Sequence, residues 1–526
     1  MRRVFVVVSV VVLAAITGIA LVWPPVLWSL LVVAPLVFLG ATDMLQKKHA
    51  VRRNFPLIGR GRYILELIRP EINQYFVESN SDGKPFSRND RSIVYQRAKG
   101  ELDTLPFGTQ RDVYATGYEW INHSLAPVHP DHANDRVLVG GSACKQPYSA
   151  SVFNVSGMSY GSLSKNAVLA LNSGAKMGGF AHNTGEGGLS PYHLEPGGDI
   201  VWQIGTGYFS CRNRDGSFCI DEFAKRATLP NVKMVEIKLS QGAKPGHGGI
   251  LPAAKLTQEI IDIRGVVPGE DVISPPAHTA FSTPSGLLQF VAHLRDASGG
   301  KPVGFKLCVG KRHEFLGIVK AMLESGVMPD FITVDGAEGG TGAAPMEFSD
   351  SVGTPLNEGL SFVHYSLVGA GIRDKIRIIA SGKVNTGFQI ATKVALGAEL
   401  CNAARAMMFA IGCIQALRCN SNKCPTGVAT QDPELVAGLD VNDKSHRVAR
   451  YHKETVKSFF EVLGAAGLSK PHDLRPWYIS KRVSNGEVRS YHELYPPIEP
   501  GALITSDSSL TPSLARAWQT ARPDRF

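Results

Sequence analysis

The chain has 526 residues, and its 44% hydrophobic and 19% charged residues are typical of an ordinary folded protein. The net charge of +9 would suit a nucleic-acid-binding protein, but it is concentrated, because seven Lys or Arg residues and one acid, Glu66, lie between Met44 and Arg69. We interpret this charge as a juxtamembrane feature, which argues against a nucleic-acid partner.

The N-terminal segment is apolar enough to enter a bilayer. Val4–Trp23 carries no charge and, at about 1.5 Å per residue, spans about 30 Å. Pro24 and Pro25 interrupt the run before a second one, Val26–Ala41. The outer ends are basic, at Arg2, Arg3, Lys47, Lys48, Arg52 and Arg53. The positive-inside rule predicts a transmembrane hairpin over residues 1–43 in the cell (inner) membrane, with a cytoplasmic catalytic domain; a single span or a cleaved signal peptide are the alternatives.

Three regions are predicted beyond the hairpin. Residues 44–150 form a basic juxtamembrane and wrapping region with short helices at Tyr63–Ile72 and Asn89–Lys99. Residues 151–440 alternate short apolar runs with helical runs, and glycine follows many of the apolar runs. Residues 441–526 begin as a helix and end in a loose tail.

The alternating region predicts an α/β fold, a (β/α)8 TIM barrel. Strands are predicted to begin near Phe153, Gly179, Tyr208, Met234, Val303, Phe331, Ile376 and Leu400. Helices are predicted at Leu163–Met177, Ala253–Arg264, Pro284–Asp296, Glu314–Ser325 and Thr386–Leu396. A doubly wound sheet shares this pattern, but polar, glycine-rich signals follow many strands, as at the mouth of a barrel. The interval between Lys238 and Pro302 is too long for one simple helix and predicts an insertion.

Three motifs in the barrel region carry polar chemistry. NTGEGG places Glu186 between glycines that let a ligand approach the backbone, although a tight turn would look the same. KLSQGAKPGHGG places Lys238, Gln241 and Lys244 at the end of an apolar strand and in the loop after it. The cations can hold a dicarboxylate or stabilise the negative charge of a reduced isoalloxazine; a solvated loop is the alternative. Lys306 lies inside an apolar strand, which favours a paired or functional role.

Two glycine-rich loops follow later strands, DGAEGGTGAAP at 335–345 and ASGKVNTG at 380–387. Backbone amides in such loops bind phosphate well, and the last strands of barrels often provide them. Neither loop matches the Walker A or the Rossmann pattern. Together they predict a phosphate-bearing ligand at the barrel mouth.

Three of the eight cysteines, Cys413, Cys419 and Cys424, fall within twelve residues. Their soft thiolates can hold an iron–sulfur cluster, whereas zinc would normally need a fourth ligand. From spacing alone, structural cysteines remain the leading alternative. The other five cysteines lack the spacing of a secreted disulfide scaffold and fit a reducing compartment.

Five motifs occur in order: NTGEGG, QGAKPGHGG, ISPPAH, DGAEGGTGAAP and RCNSNKCPTGVATQ. Together they resemble the FMN-binding synthase domain of glutamate synthase over about 153–431, in a stand-alone, membrane-anchored form. The resemblance implies FMN and a 3Fe-4S cluster on Cys413, Cys419 and Cys424, with 4Fe-4S less favoured. It also implies reduction of an imino acid, made from 2-oxoglutarate and ammonia, to glutamate.

The resemblance assigns further residues to the site. Glu186, Gln241, Lys244 and Arg264 match polar residues on the substrate and flavin side, and Lys306 matches a lysine near the flavin. The loops around FMN and its phosphate match Gly340, Thr341, Gly342, Ser381, Gly382 and Lys383. The implied partners are a keto or amino acid substrate and an electron donor, such as ferredoxin, a reductase subunit or a quinone.

The chain also departs from the family pattern. Ile250 stands where the family usually has glutamine near the keto acid, His247 replaces an acid, and Lys383 replaces a glycine of the phosphate loop. The sequence carries neither the amidotransferase domain nor the C-terminal β-helix, so we expect no glutaminase activity and a separate ammonia source. The alternatives are an FMN oxidoreductase acting on another amine or a 2-hydroxy acid, and a non-catalytic electron-transfer subunit.

Overall fold

The computed structural model describes residues 1–131, 135–505 and 510–526. These residues form two compact units, Met1–Arg88 and Asn89–Phe526. The segments on either side of the barrel, 89–150 and 441–526, therefore fold in the same unit as the barrel.

The first unit is helical. Its two apolar helices, Arg2–Ala20 and Leu30–Leu45, are joined through a short 3-10 helix at Pro24–Ser29, where the two prolines prevent a continuous α-helix. Phe5 packs against Gly40 so closely that a Cβ at Gly40 would lie 2.1 Å from the ring. Both Arg2–Ala20 and Pro24–Leu45 are long and apolar enough to cross a membrane. The unit continues through helices Ala50–Asn54 and Ile58–Ile72 and a π-helical turn at Asn73–Val77.

The second unit contains a closed, eight-stranded parallel barrel, as the sequence predicted. The strands are β1 (Phe153–Val155), β2 (His182–Asn183), β3 (Ile200–Ile204), β4 (Val232–Lys238), β5 (Val303–Leu307), β6 (Phe331–Asp335), β7 (Arg377–Ser381) and β8 (Leu400–Ala403). Strands pair in chain order, and β8 closes on β1 with Cys401 opposite Phe153. Closure excludes the doubly wound alternative.

One strand prediction was wrong. The strand predicted near Tyr208 is Ile200–Ile204, and every residue of it is buried. Tyr208 lies in the turn that follows, with a φ of 49° that a strand does not allow. Gln203 interrupts the apolar run of β3. The strand was therefore predicted further along the chain, at the aromatic residues Tyr208 and Phe209.

Helices pack around the barrel at Lys165–Gly178, Pro191–Leu194, Ile220–Ala227, Pro284–Ala297, Arg312–Ser325, Met346–Ser351, Leu356–Gly369, Gly387–Ala395 and Arg405–Ala410. Several begin at a side-chain cap. Ser164, Thr283 and Thr386 each accept a hydrogen bond from the backbone three residues on. These caps fix where each helix leaves the loop after its strand.

The predicted insertion lies between β4 and β5. It contains a two-stranded hairpin, Ile250–Leu251 with Val272–Ile273, and a helix, Gln258–Arg264. The single helix predicted over Ala253–Arg264 is split, because residues 253–255 form a 3-10 turn and the helix starts after its Thr257 cap.

A hairpin of strands Arg136–Val139 and Tyr148–Ser151 closes the amino-terminal end of the barrel. Its buried Val139, Tyr148 and Ala150 pack with Met234 and other interior residues of the barrel strands. The polar side chains discussed below lie at the opposite, carboxyl-terminal end.

The C-terminal region is more ordered than predicted. Helix Val441–Ala465 lies against Lys165–Gly178, where a Cβ at Gly174 would lie 2.6 Å from Val448. Hairpin Ile479–Ser484 and Glu487–Ser490 then pairs with Glu119–Ile121 in a three-stranded sheet.

The remaining elements are helices Arg88–Lys99, Pro433–Ala437, Tyr491–Leu494, Ala502–Thr505 and Pro512–Thr520, and 3-10 turns Arg373–Lys375, Pro471–Asp473 and Pro476–Tyr478.

Candidate active site

Charged side chains gather at the carboxyl ends of the barrel strands. Lys238 and Asp335 are the last residues of β4 and β6, Lys306 lies near the end of β5, and Glu186 follows β2. Because all strands of a barrel run in the same direction, these ends meet at one mouth. The mouth therefore brings together residues that lie far apart in the sequence.

Glu186 forms the centre of one group. Its Oε1 lies 2.7 Å from Lys238 Nζ, which also donates to the Gln241 side-chain oxygen. Gly249 makes room for the Glu186 carboxylate, since a Cβ at position 249 would lie 2.5 Å from Glu186 Oε1. The predicted Glu186 and Gln241 thus meet through Lys238, the first lysine of the motif that contains Gln241.

Lys244 and Arg264 complete this group. Lys244 is 2% exposed, and its Nζ donates to the Ala343 carbonyl at 2.8 Å. Arg264 lies 5.1 Å above the Phe209 ring, and its Nη2 donates to the Tyr160 carbonyl at 3.0 Å. Arg264 Nε is buried and has no hydrogen-bond partner among the described residues.

The group contains one carboxylate, that of Glu186, among several cations, and these charges shift one another's pKa values. Burial raises the pKa of Glu186, but Lys238, Lys244 and Arg264 outweigh it and hold this pKa below its ordinary value. Burial lowers the pKa of Lys244 to about 8 and that of Arg264 to about 10, although Glu186 opposes both shifts. Cations therefore outnumber the carboxylate, which suits an anionic ligand.

Lys306 belongs to a second buried pair. Its Nζ lies 3.3 Å from Asp335 Oδ2, and the same oxygen accepts the Gly242 N–H at 2.8 Å. Burial alone would lower the pKa of Lys306, but the carboxylates of Asp335 and Glu236 raise it above its ordinary value. The lysine therefore stays charged inside the barrel, as its position in an apolar strand suggested.

Glu236 is a buried acid that the sequence analysis did not single out. It is 1% exposed and accepts hydrogen bonds from Asn183 at 2.8 Å, Gln203 at 2.6 Å and Thr333 at 2.6 Å. The signal was available, because an acid inside the apolar strand VKMVEIK is as unusual as Lys306 in its own strand.

A second omission is the pair Tyr208 and His278. The Tyr208 hydroxyl accepts the Thr279 N–H at 3.1 Å and lies 3.0 Å from His278 Nδ1, while His278 Nε2 lies 2.9 Å from the Lys238 carbonyl oxygen. Burial lowers the pKa of His278 to about 4, so the ring is neutral. The hydroxyl then donates to Nδ1, and Nε2–H donates to the carbonyl. The ISPPAH motif thus fixes the backbone that carries Lys238.

The two glycine-rich loops follow β6 and β7. Gly340 packs under Arg405, because a Cβ at Gly340 would lie 2.6 Å from Arg405 Nε. The Thr341 hydroxyl donates to the Ala343 carbonyl at 3.3 Å, and Lys244 donates to the same carbonyl. Gly342 lies between Thr341 and Ala343 in the sequence.

The loop after β7 has an unusual backbone. Ser381 is buried, with its Oγ 3.4 Å from that of Ser156. Gly382 has a φ of 145° and Lys383 a φ of 48°, in the left-handed region that favours glycine. Lys383 therefore adopts a backbone conformation that glycine adopts more readily.

The three cysteines of the triplet lie within electrostatic range of one another. The charges of Cys419 and Cys424 act on Cys413, and burial raises the pKa of the Cys413 thiol to about 12. The described part of the chain contains no set of three or more His, Cys, Asp or Glu residues arranged around a single metal ion. In a three-iron or four-iron cluster, by contrast, each thiolate binds a different iron, so the donors are spread around the cluster.

Lys255 connects the cysteine loop to the barrel. It is 1% exposed, its Nζ donates to the Ser162 carbonyl at 2.9 Å, and it interacts with the charges of Cys419 and Cys424. Asn422, inside the cysteine loop, donates to the Ala254 carbonyl at 2.9 Å. The cysteine loop therefore packs against the insertion and the loop after β1.

Comparison with known proteins identifies the family of this chain. A family model described as "Conserved region in glutamate synthase" matches residues 119–469. The chain is also 39% identical over 486 residues to the glutamate synthase large subunit-like protein YerD of Bacillus subtilis, covering 85% of this chain and 92% of the relative. The chain belongs to the glutamate synthase family.

Other relatives of this glutamate synthase family member are similar over a shorter stretch. An archaeal glutamate synthase [NADPH] of Methanocaldococcus jannaschii is 37% identical over 320 residues, which are 60% of this chain and 59% of that protein. Among solved structures, mandelate oxidase with (S)-2-phenylpropionate covers 76% of this chain and 98% of its own at 14% identity, with a TM-score of 0.41. That likeness is too distant to support a functional comparison.

Proposed function

We propose that this chain is a glutamate synthase-type oxidoreductase, acting at the CH–NH2 level, that reduces an imino acid made from 2-oxoglutarate and ammonia to glutamate. The observation that carries the proposal is the buried group of Lys238, Lys244 and Arg264 around Glu186. An imino acid derived from 2-oxoglutarate has two carboxylates, and clustered cations in a shielded site are suited to hold them.

The residues of the mouth fit FMN. No residue that the structure describes accepts a hydrogen bond from the buried Arg264 Nε–H, which is costly unless a ligand accepts it. Lys306 would lie near the flavin ring, and the phosphate would sit on the loops after β6 and β7, with Gly340, Thr341, Gly342, Ser381, Gly382 and Lys383 as the residues that hold it. FMN, when bound, supplies the hydride transfer that the amino acid side chains cannot perform.

The side chains of the chain place the substrate. Lys244 and Arg264 would bind its carboxylates, and Gln241 would donate to one of them. Glu186, held by Lys238, would orient the imino nitrogen. Lys238 is itself fixed through His278 and Tyr208, so the charges are positioned before the substrate arrives.

The cysteine loop fits a 3Fe-4S cluster bound by Cys413, Cys419 and Cys424, because its donors are soft and the buried Lys255 balances negative charge. Such a cluster would supply one-electron transfer from a donor such as ferredoxin, a reductase subunit or a quinone. We further propose that the two apolar helices hold the protein in the cell membrane, that the catalytic unit is cytoplasmic, and that a separate subunit or free ammonia supplies nitrogen.

The proposed reaction is tested with purified full-length protein loaded with flavin, 2-oxoglutarate, 15N-ammonium and reduced methyl viologen. Formation of 15N-glutamate, detected by mass spectrometry, is the expected result. Glutamine labelled at the amide should give no labelled glutamate, because the chain is proposed to lack glutaminase activity. Absence of labelled glutamate from ammonium would overturn the assigned reaction.

The cluster is tested by Cys419→Ser. This variant is expected to lose most of its iron and the visible charge-transfer absorption, since a hydroxyl is a poor iron ligand in a thiolate site. Cys144→Ser is the matched control, because Cys144 lies outside the triplet and donates to the Gly300 carbonyl at 3.2 Å, which serine can also do. Unchanged iron content in Cys419→Ser would contradict the ligand assignment.

A second reaction is favoured by Ile250. This residue is half-buried and follows Gly249, which directly contacts the Glu186 carboxylate. An apolar side chain at that point would suit a substrate with fewer polar groups, such as another amine or a 2-hydroxy acid. Bleaching of the oxidised flavin by such a compound, but not by glutamate, would select this alternative.

A further inference from the structure

The helix Ile58–Ile72 and the turn Asn73–Val77 carry an exposed apolar stripe. If the helical repeat is followed, at about 100° per residue, the large apolar residues of the stripe fall within about a third of the circumference. They are Ile58 (69% exposed), Ile64 (58%), Leu65 (61%), Ile68 (40%), Ile72 (38%) and Phe76 (84%). Exposed apolar surface of this extent marks a site of interaction.

Basic residues border the stripe. Arg62 and Arg69 flank it on one side of the helix. Arg60, which is held by Asp43, and Glu71 flank it on the other, while Lys47, Lys48, Arg52 and Arg53 precede the helix. Glu66, on the opposite face, is paired with Arg62 at 3.1 Å. This combination of an apolar stripe and a basic border complements a surface that is apolar inside and anionic outside.

The same helix is tied to the end of the apolar hairpin. Asp43, near the end of helix Leu30–Leu45, is fully buried and accepts from Arg52 and Arg60, each at 2.8 Å. It also accepts the Leu57 N–H at 3.2 Å, immediately before helix Ile58–Ile72. The contacts of Asp43 therefore start the amphipathic helix close to the point where the apolar helix ends.

We propose that helix Ile58–Ile72 lies in the plane of an anionic phospholipid bilayer, with its stripe among the acyl chains and its arginines at the headgroups. This inference rests on the proposed membrane hairpin. It assigns to lipid phosphates those cations of the basic segment that Asp43 does not hold. The helix adds a peripheral contact to the two spans and makes the attachment sensitive to lipid charge.

Site-specific photo-crosslinking tests this placement in the full-length protein. The photoreactive residue p-benzoylphenylalanine replaces Leu65 on the stripe, Glu66 on the opposite face, or Val11 on the first apolar helix, and the protein is reconstituted in vesicles of phosphatidylglycerol and phosphatidylcholine. After illumination, mass spectrometry measures lipid adducts at each site. We expect about tenfold more adduct at position 65 than at position 66, enriched in phosphatidylglycerol.

The outcomes separate the helix from the hairpin. Adducts at position 11 with equal or absent adducts at positions 65 and 66 would overturn the interfacial helix and leave the hairpin in place. Adducts at none of the three sites would overturn both. Protein–protein adducts at position 65 would assign the stripe to a partner protein instead. Adducts at position 65 without preference for phosphatidylglycerol would overturn the role of the arginines.

Discussion

Replacing Glu186 by glutamine is expected to lower kcat/KM by about 100-fold, because the carboxylate organises the charges of the proposed substrate site. Glutamine keeps the size of the side chain but removes the charge that Lys238 contacts at 2.7 Å. Steady-state kinetics of flavin-loaded protein provide the measurement. Glu347→Gln is the control, because Glu347 lies exposed on helix Met346–Ser351 and its replacement makes the same change of charge. Equal rates for the two variants would remove Glu186 from the mechanism.

The pH profile gives this prediction a second readout. The pKa of Lys244 is lowered to about 8 by burial, and Glu186 opposes that shift. If the Lys244 cation binds a carboxylate, kcat/KM should fall as pH rises through about 8 in the unmodified protein. In Glu186→Gln the opposing charge is gone, so the pKa of Lys244 falls further and the alkaline limb should move to lower pH. An unshifted limb would contradict the coupling.

Lys306→Met is expected to destabilise the barrel by about 3–5 kcal/mol, because it leaves the buried Asp335 carboxylate without its cation. The free energy of unfolding can be measured by urea titration of the flavin-free protein. Lys311→Met is the control, since Lys311 is 73% exposed and its pair with Glu314 is worth at most about 1 kcal/mol. A loss no greater than that of the control would contradict the buried ion pair.

A double-mutant cycle isolates the pair itself. Lys306→Met combined with Asp335→Asn removes both charges, and most of the lost stability should return. The Gly242 N–H, which donates to Asp335 Oδ2, can still donate to the asparagine oxygen. If the double variant is as unstable as the sum of the single variants, the two residues do not act as a pair.

The barrel could be predicted from the sequence because its signals are local. Apolar strands alternate with capped helices, and each glycine-rich loop follows a strand. The three-stranded sheet of Glu119–Ile121 with Ile479–Ser484 and Glu487–Ser490 could not be predicted in this way. Strand Glu119–Ile121 lies more than three hundred residues before the hairpin with which it pairs. In addition, short strands at a surface carry no strong alternation of apolar and polar residues.

The residues of the candidate site also divide into those with a local sequence signal and those whose contacts form only in the folded chain. Lys306 could be found because a cation in an apolar strand demands a partner, and Asp335 supplies it. The role of Tyr208 could not be found, because its hydroxyl meets His278 only after the insertion folds across the mouth. Motif order predicted which loops would meet, whereas the hydrogen bonds between them depend on side-chain packing that a linear pattern does not contain.

The insertion between β4 and β5 leaves from one strand and returns to its immediate neighbour. Within this single stretch lie Gln241, Lys244, Lys255, Arg264 and His278. Its removal would take away Lys244 and Arg264 but leave Lys238 and Lys306, which belong to β4 and β5. In the proposed function, much of the substrate pocket thus comes from one continuous segment of the chain. Exchanging this segment would be expected to change the pocket without changing the sequence of the barrel strands.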